Sequence, residues 1–346
     1  MRTVLLATIL TVLVAAGAHA ALFSDFVIFG DSLSDNGNAY IGTGGLPPAP
    51  VPPAYTLGRF TDGSSTIPAG TPGGIWHEVL AGLLGEPVAE PFLPPVNGTN
   101  YAVGGAQVLT NISVTVPTTP TPTVVTIPSL TTQVGLYLTS VNDHPDPNAL
   151  YIFWGGANDL YSAAETPGET PAEITATESA MATALYSDIA GLAALGARDF
   201  LWLNLPQLAS TPRGMADIAN APSLATAFTN ASSQFQTDVA TDSALLNLLP
   251  AVQVVPVDIY SLYQNILANP AAYGYTNVTG YAQGNPLANP DQYLFWDLDS
   301  HPTTTGHALI AEAADAAVLS TFTPEPGSWA IAGAGLLAVL WKRRRA

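Results

Sequence analysis

The 346-residue chain contains no cysteine. That excludes a disulfide framework, thiol catalysis and thiolate metal sites, so the fold must be held by its core alone. Positive charge is nearly as scarce. Of eight lysines and arginines, Arg2 and the cluster Lys342-Arg343-Arg344-Arg345 lie at the two ends, leaving Arg59, Arg198 and Arg213 in residues 21–322. The same residues carry 25 of the 26 acidic side chains, a net charge of −22. A surface of that sign repels phosphate backbones and anionic headgroups, so no nucleic-acid partner is expected, and solubility or salt adaptation is a sufficient reason for the charge. The five histidines show no spacing that suggests a metal cluster. Neither a metal nor an organic cofactor is expected.

Apolar residues, at 48%, are plentiful enough for a sizeable core, while 30 glycines and 30 prolines imply long surface connections. The two ends stand apart. Residues 1–20 combine Arg2, an apolar stretch from Val4 to Ala16 and Ala18-His19-Ala20, the pattern of a secretory signal peptide with its small-residue cleavage site. The apolar stretch is shorter than the roughly 20 residues of a spanning helix. Residues 323–346 read Thr323-Pro324-Glu325-Pro326-Gly327-Ser328, an apolar stretch from Trp329 to Trp341, then the basic cluster. A basic stop after an apolar segment orients it with the cluster on the cytoplasmic side. The layout resembles the PEP-CTERM sorting signal of Gram-negative bacteria. That resemblance implies an exosortase-type processing partner and a body exported across the inner membrane, anchored transiently by the C-terminal transmembrane helix. The body would then be secreted or held at the cell surface or extracellular matrix. A plain C-terminal anchor is the alternative, and it too exports the body.

Residues 21–322 read as one domain. Phe26-Val-Ile-Phe-Gly30 is an apolar strand, and further buried strands are expected at 149–154, 200–205 and 252–258. Helical patterns occupy 76–85, about 171–195, 215–248 and 304–320. Prolines at 117, 120, 122 and 128 exclude a central strand or helix from 110–130, which reads as a long loop or a hairpin excursion. Apolar strands alternating with helices predict a three-layer α/β/α sandwich around a central parallel sheet.

Four short motifs fall at the ends of these elements: Gly30-Asp31-Ser32-Leu33, Asn100-Tyr-Ala-Val-Gly-Gly105-Ala106, Gly156-Ala157-Asn158-Asp159 and His301-Pro302-Thr303. Each alone is a common turn or cap. Together and in this order they resemble the GDSL, or SGNH, family of serine esterases and lipases, over residues from about 23 to 321. The resemblance implies a flavodoxin-like fold and hydrolysis of acyl or acetyl esters without a metal. It assigns Ser32 as nucleophile, His301 as general base, and Ser32, Gly105 and Asn158 as oxyanion-hole donors. A serine hydroxyl needs both a base and oxyanion donors to react.

The family's orienting acid lies three residues before the histidine, a position held here by Leu298. Acids flank it at Asp297 and Asp299. Asp297 is favoured because it follows Phe295-Trp296 and a loop can absorb one added residue; Asp299, or a dyad with no acid, is the alternative. Asp31 and Asp35 could form an acid pair, but hydrogen bonding within the turn around Ser32 is the simpler reading. His307, inside the last helix, is expected to be structural or at the surface, and His77 and His144 have no supporting motif. The expected substrate is a small acyl ester or a lipid. A phospholipase or acyltransferase, or an inert surface or matrix module, is the competing function.

Overall fold

Runs of consecutive apolar residues become strands buried on both faces, as parallel sheets covered by helices require. The computed structural model describes residues 21–62, 74–166 and 170–322. The leader at 1–20 and the C-terminal segment at 323–346 lie outside the described residues. The chain runs from β1 (Phe26–Gly30) through α1 (Asn38–Thr43) and α2 (Trp76–Leu84) to β2 (Ile112–Val116), β3 (Thr123–Ile127) and α3 (Leu130–Ser140). It continues through β4 (Leu150–Trp154), α4 (Ala157–Glu165), α5 (Pro171–Leu195), β5 (Asp199–Leu203), α6 (Pro212–Asn220) and α7 (Leu224–Leu246). Next come β6 (Gln253–Val257), α8 (Ile259–Ala268), β7 (Asn277–Tyr281), β8 (Tyr293–Phe295) and α9 (Thr304–Phe322).

The central sheet is parallel with the order β1-β4-β5-β6. An irregular stretch at 99–103 lines the free side of β1. Ile28 N–H donates to Thr99 O, Tyr101 N–H to Ile28 O and Val103 N–H to Gly30 O, at 3.1, 2.8 and 3.2 Å. Counted in chain order the sheet is therefore 2-1-3-4-5, the flavodoxin-like arrangement. The order of connection reverses between β1 and β4, which leaves a crevice beyond their carboxyl ends. Residues of all four sequence motifs line that crevice.

Alternate strand residues feed two cores. Val27, Phe29, Tyr151, Phe153, Phe200 and Trp202 face α3, α4, α5 and α7. Phe26, Ile28, Ile152, Trp154, Leu201 and Leu203 face α2, α8 and α9. The period-2 alternation of a strand thus explains why uninterrupted apolar runs are needed: both faces are interior.

Two features differ in detail from the sequence reading, and a third decides between its alternatives. The stretch at 215–248 is two helices, because Pro222 disfavours the helical conformation at Ala221, whose φ and ψ are −140° and 87°. The strand at 200–205 ends at Leu203. Asn204 instead donates its side-chain amide to Asp258 and accepts the Tyr260 N–H. Residues 110–130 form the β2–β3 hairpin, separate from the central sheet, with every proline outside the paired residues 112–116 and 123–127.

Candidate active site

The end of β1 is shaped by close packing. A Cβ on Gly30 would meet Trp154 O at 2.7 Å, so only glycine fits beside β4. The buried Gln133 of α3 brackets this residue, accepting the Gly30 N–H and donating to Gly30 O, both at 2.9 Å. The chain then turns sharply. Asp31 O accepts the Ser34 and Asp35 N–H groups, and Asp31 Oδ1 accepts the Leu33 N–H. Asp35, fully buried, accepts N–H bonds from Gly37, Asn38, Ala39 and Gly104 at 2.7 to 2.9 Å. It therefore ties the serine loop to the Gly104-Gly105 loop. Burial pushes both Asp31 and Asp35 up to about 6. These two carboxylates hold the turn rather than facing each other as a pair.

Ser32 emerges from this turn with 8% of its surface exposed. Its Oγ lies 2.8 Å from His301 Nε2, and His301 Nδ1 lies 2.7 Å from Asp297 Oδ2. Asp297 Oδ1 also accepts the His301 backbone N–H at 3.1 Å. The residues between them form a tight turn: Trp296 N–H donates to His301 O, Ser300 N–H to Asp297 O, and Ser300 adopts a left-handed φ of 70°. Leu298 is displaced outward, 47% exposed. Asp299 is also outward, 63% exposed at its side chain and 3.8 Å from Arg213. Of the two candidate acids only Asp297 touches the imidazole.

Electrostatics follow from this geometry. Burial disfavours a charged imidazole, yet the adjacent Asp297 carboxylate and its hydrogen bond outweigh that and raise His301 above its ordinary value. Burial likewise opposes ionisation of Asp297, but His301, the Tyr55 hydroxyl and the His301 backbone N–H hold it below the usual range.

The Ser32 and Gly105 N–H groups have no acceptor among the described residues. Gly105 sits at φ +82°, a left-handed conformation that suits glycine. Asn158, in the first turn of α4, is fixed by donating to Ala106 O at 3.0 Å, and its amide nitrogen has a further, long 3.5 Å contact with Asp31. All three residues line one crevice of about 400 Å³ that also holds His301. Its walls are mainly apolar, with Ile112, Val114, Val125 and Ile127 of the hairpin on one side and Phe60 and Leu205 among the others.

The remaining histidines are elsewhere or inert. His77 is fully buried, donates its Nε2–H to Ser34 O at 3.0 Å and is pushed down to about 4 by burial. His307 is buried rather than at the surface, accepts the Trp76 N–H and is pushed down to about 3. His144 is exposed. Gln133, Phe60 and Tyr55 were not evident as site residues from the sequence. Tyr55 and Phe60 do sit near Pro-rich and Gly-Arg-Phe stretches, a signal too common to single them out.

Residues 26–314 match the GDSL-like lipase/acylhydrolase family, and residues 322–345 match the PEP-CTERM protein-sorting motif. The chain belongs to the GDSL-like lipase/acylhydrolase family. This is a family of carboxylic ester hydrolases. Lipase 1 of Photorhabdus luminescens is 24% identical over 86% of the chain, but the chain spans only 50% of that protein's length. GDSL esterase/lipase 7 of Arabidopsis thaliana is 27% identical, over 90% of the chain and 94% of the plant protein. Among solved structures, the native M. smegmatis aryl esterase aligns over 86% of the chain and 98% of its own, at 16% identity and a TM-score of 0.40. Among the described residues of this family member, no helix is long and apolar enough to cross a membrane.

Proposed function

We propose that this GDSL-family protein is an exported serine hydrolase that cleaves carboxylic esters with an apolar acyl group through an acyl-enzyme on Ser32. The observation that carries the reading is the continuous Ser32–His301–Asp297 contact chain, at 2.8 and 2.7 Å, opening into an apolar crevice. His301 takes the Ser32 proton as Oγ attacks the ester carbonyl, and Asp297 holds the imidazole in the tautomer whose Nε2 is free to accept. The Ser32 and Gly105 N–H groups and the Asn158 amide receive the oxyanion. His301 then protonates the departing alkoxide, and water deacylates the serine by the same route in reverse.

The crevice also speaks to the substrate. At about 30 Å³ per water-sized group, a space of 400 Å³ holds on the order of a dozen non-hydrogen atoms, enough for a medium-length acyl chain. Export follows from the leader pattern at 1–20 and the sorting motif at 322–345, with an exosortase-type enzyme as processing partner. The test is turnover of p-nitrophenyl esters from acetyl to palmitoyl and of a phosphatidylcholine, by the purified protein and by Ser32→Ala. Expected is an optimum at medium chains and loss of turnover in Ser32→Ala. No turnover of any ester would leave an inert module, and retained activity in Ser32→Ala would overturn the nucleophile.

A further inference from the structure

The segment 54–62 crosses the loop that carries the acid and the base, and Ala54, Tyr55, Phe60, Thr61 and Asp62 touch that loop. Ala54 O accepts the Trp296 indole N–H at 2.8 Å. The Tyr55 hydroxyl donates to Asp297 Oδ2 at 2.8 Å, the same oxygen that faces His301 Nδ1. The Phe60 ring lies against the imidazole, centroids 5.0 Å apart and planes at 31°. Thr61 Oγ1 donates to Pro302 O at 3.0 Å, and the Asp62 carboxylate accepts from the Thr304 N–H and hydroxyl. Arg59, between these contacts, is anchored on the buried Glu78 of α2. A loop of this kind normally hangs in solvent. Here both ends and the middle are fastened.

We propose that residues 54–62 are a strap that positions the His301–Asp297 pair, and that Tyr55 is the positioning residue through which it acts. The proposal rests on the reading of Ser32, His301 and Asp297 as the reacting set. Asp297 is the residue that must sit one position earlier than the family spacing allows, on a turn with a left-handed Ser300. Such a turn leaves the carboxylate free to rotate about its side-chain torsions. The second donor on Oδ2 removes that freedom, since a carboxylate held by His301 and Tyr55 on one oxygen and by a backbone N–H on the other has one satisfied orientation. Tyr55 also draws charge from Oδ2, which moderates the pull of Asp297 on the imidazole proton.

The test is Tyr55→Phe, which keeps the ring and its packing on Phe60 and deletes the hydroxyl. Expected is a drop in kcat of about tenfold with KM unchanged, the size that loss of one hydrogen bond to a charged group carries. The acid limb of kcat/KM should move to higher pH, because Oδ2 then acts on His301 undiluted. Asp31, Asp299 and His307 also act on this imidazole, Arg213 faces Asp299, and all stay in place. The His301 Nδ1–H proton resonance should shift in parallel. The double variant Tyr55→Phe/Asp297→Asn should be no slower than Asp297→Asn alone. A lower melting temperature with kcat, the acid limb and the resonance unmoved would reduce Tyr55 to a structural residue and overturn the proposal, as would additivity in the double variant. Activity surviving in Ser32→Ala would instead sink the proposed function, a separate outcome.

Discussion

Replacing Asp297 by asparagine keeps the shape of the turn and changes the direction of one hydrogen bond. In the native site Asp297 accepts three times: from His301 Nδ1–H, from the Tyr55 hydroxyl and from the His301 backbone N–H. An asparagine can accept on only one of its two terminal atoms. If its oxygen takes the backbone N–H, its NH2 faces His301 Nδ1 and donates to it. The ring proton then moves to Nε2, which lies 2.8 Å from Ser32 Oγ and can no longer accept the hydroxyl proton. If the amide is turned the other way, its NH2 meets the backbone N–H donor in a buried site, a cost of about 1–3 kcal/mol. The wrong tautomer is therefore the cheaper state. In the serine-protease triad that serves as the general template, this substitution costs about 10⁴-fold. A loss of about 10³ to 10⁴ in kcat/KM is expected here, equivalent to roughly 4–5.5 kcal/mol of transition-state stabilisation. Asp299→Asn should change kcat/KM by less than about twofold, since that carboxylate is mostly exposed, lies 3.8 Å from Arg213 and acts on the imidazole only through solvent-screened charge. The assay is kcat/KM on a soluble p-nitrophenyl ester, corrected by active-site titration with an organophosphate. Asp297→Asn retaining more than a tenth of the rate, or Asp299→Asn losing as much as Asp297→Asn, would refute the reasoning.

Other outcomes follow from the same geometry. Asn158→Ala removes one of the proposed oxyanion donors and should lower kcat by about 100- to 1,000-fold while thermal unfolding moves by only a few degrees, because the amide's protein contacts are one bond to Ala106 and a long one to Asp31. The proposed base, His301, must be neutral to work and is raised above the ordinary 6.5, so kcat/KM should fall as pH drops through a value above 6.5; an acid limb below pH 6 would contradict the contact with Asp297. Glu178, buried in α5 near Asp238, is pushed up to about 8 from 4.5 by burial first and by Asp238 second. A raised carboxyl contributes stability that is complete below its unfolded value and lost as pH rises through the folded one. Glu178→Gln should therefore stabilise the fold at pH 8–9 by about 1–3 kcal/mol and be nearly neutral at pH 4, measured by denaturant unfolding at both; a pH-independent effect would be inconsistent with a charge origin.

Local chemistry in the chain carries far. Uninterrupted apolar runs at 26–30, 150–154 and 200–203 can exist only where both faces of a strand are covered, so the parallel sheet is legible from them alone. Gly30-Asp31-Ser32 and His301-Pro302 mark strand end and helix start by short-range turn chemistry. Gly105 and Asn158 are visible for the same reason, as residues whose backbone and amide suit a turn and a first helical position. What needed the tertiary structure is whatever depends on which distant segments meet. Pro117, Pro120, Pro122 and Pro128 exclude a central strand and leave a loop or a hairpin open, but only the pairing of 112–116 with 123–127 shows a hairpin that walls the crevice. Asp297 and Asp299 are equivalent neighbours of Leu298 in one dimension. The left-handed Ser300 turns the first toward the imidazole and leaves the second exposed beside Arg213, a distinction that two residues of alternating side-chain direction cannot display in a string. Tyr55 reaches Asp297 across 242 residues, and Gln133 reaches Gly30 across 103. No periodicity or spacing encodes such contacts, because they are made by the packing of the sheet and its covering loops and not by the backbone conformation of either partner.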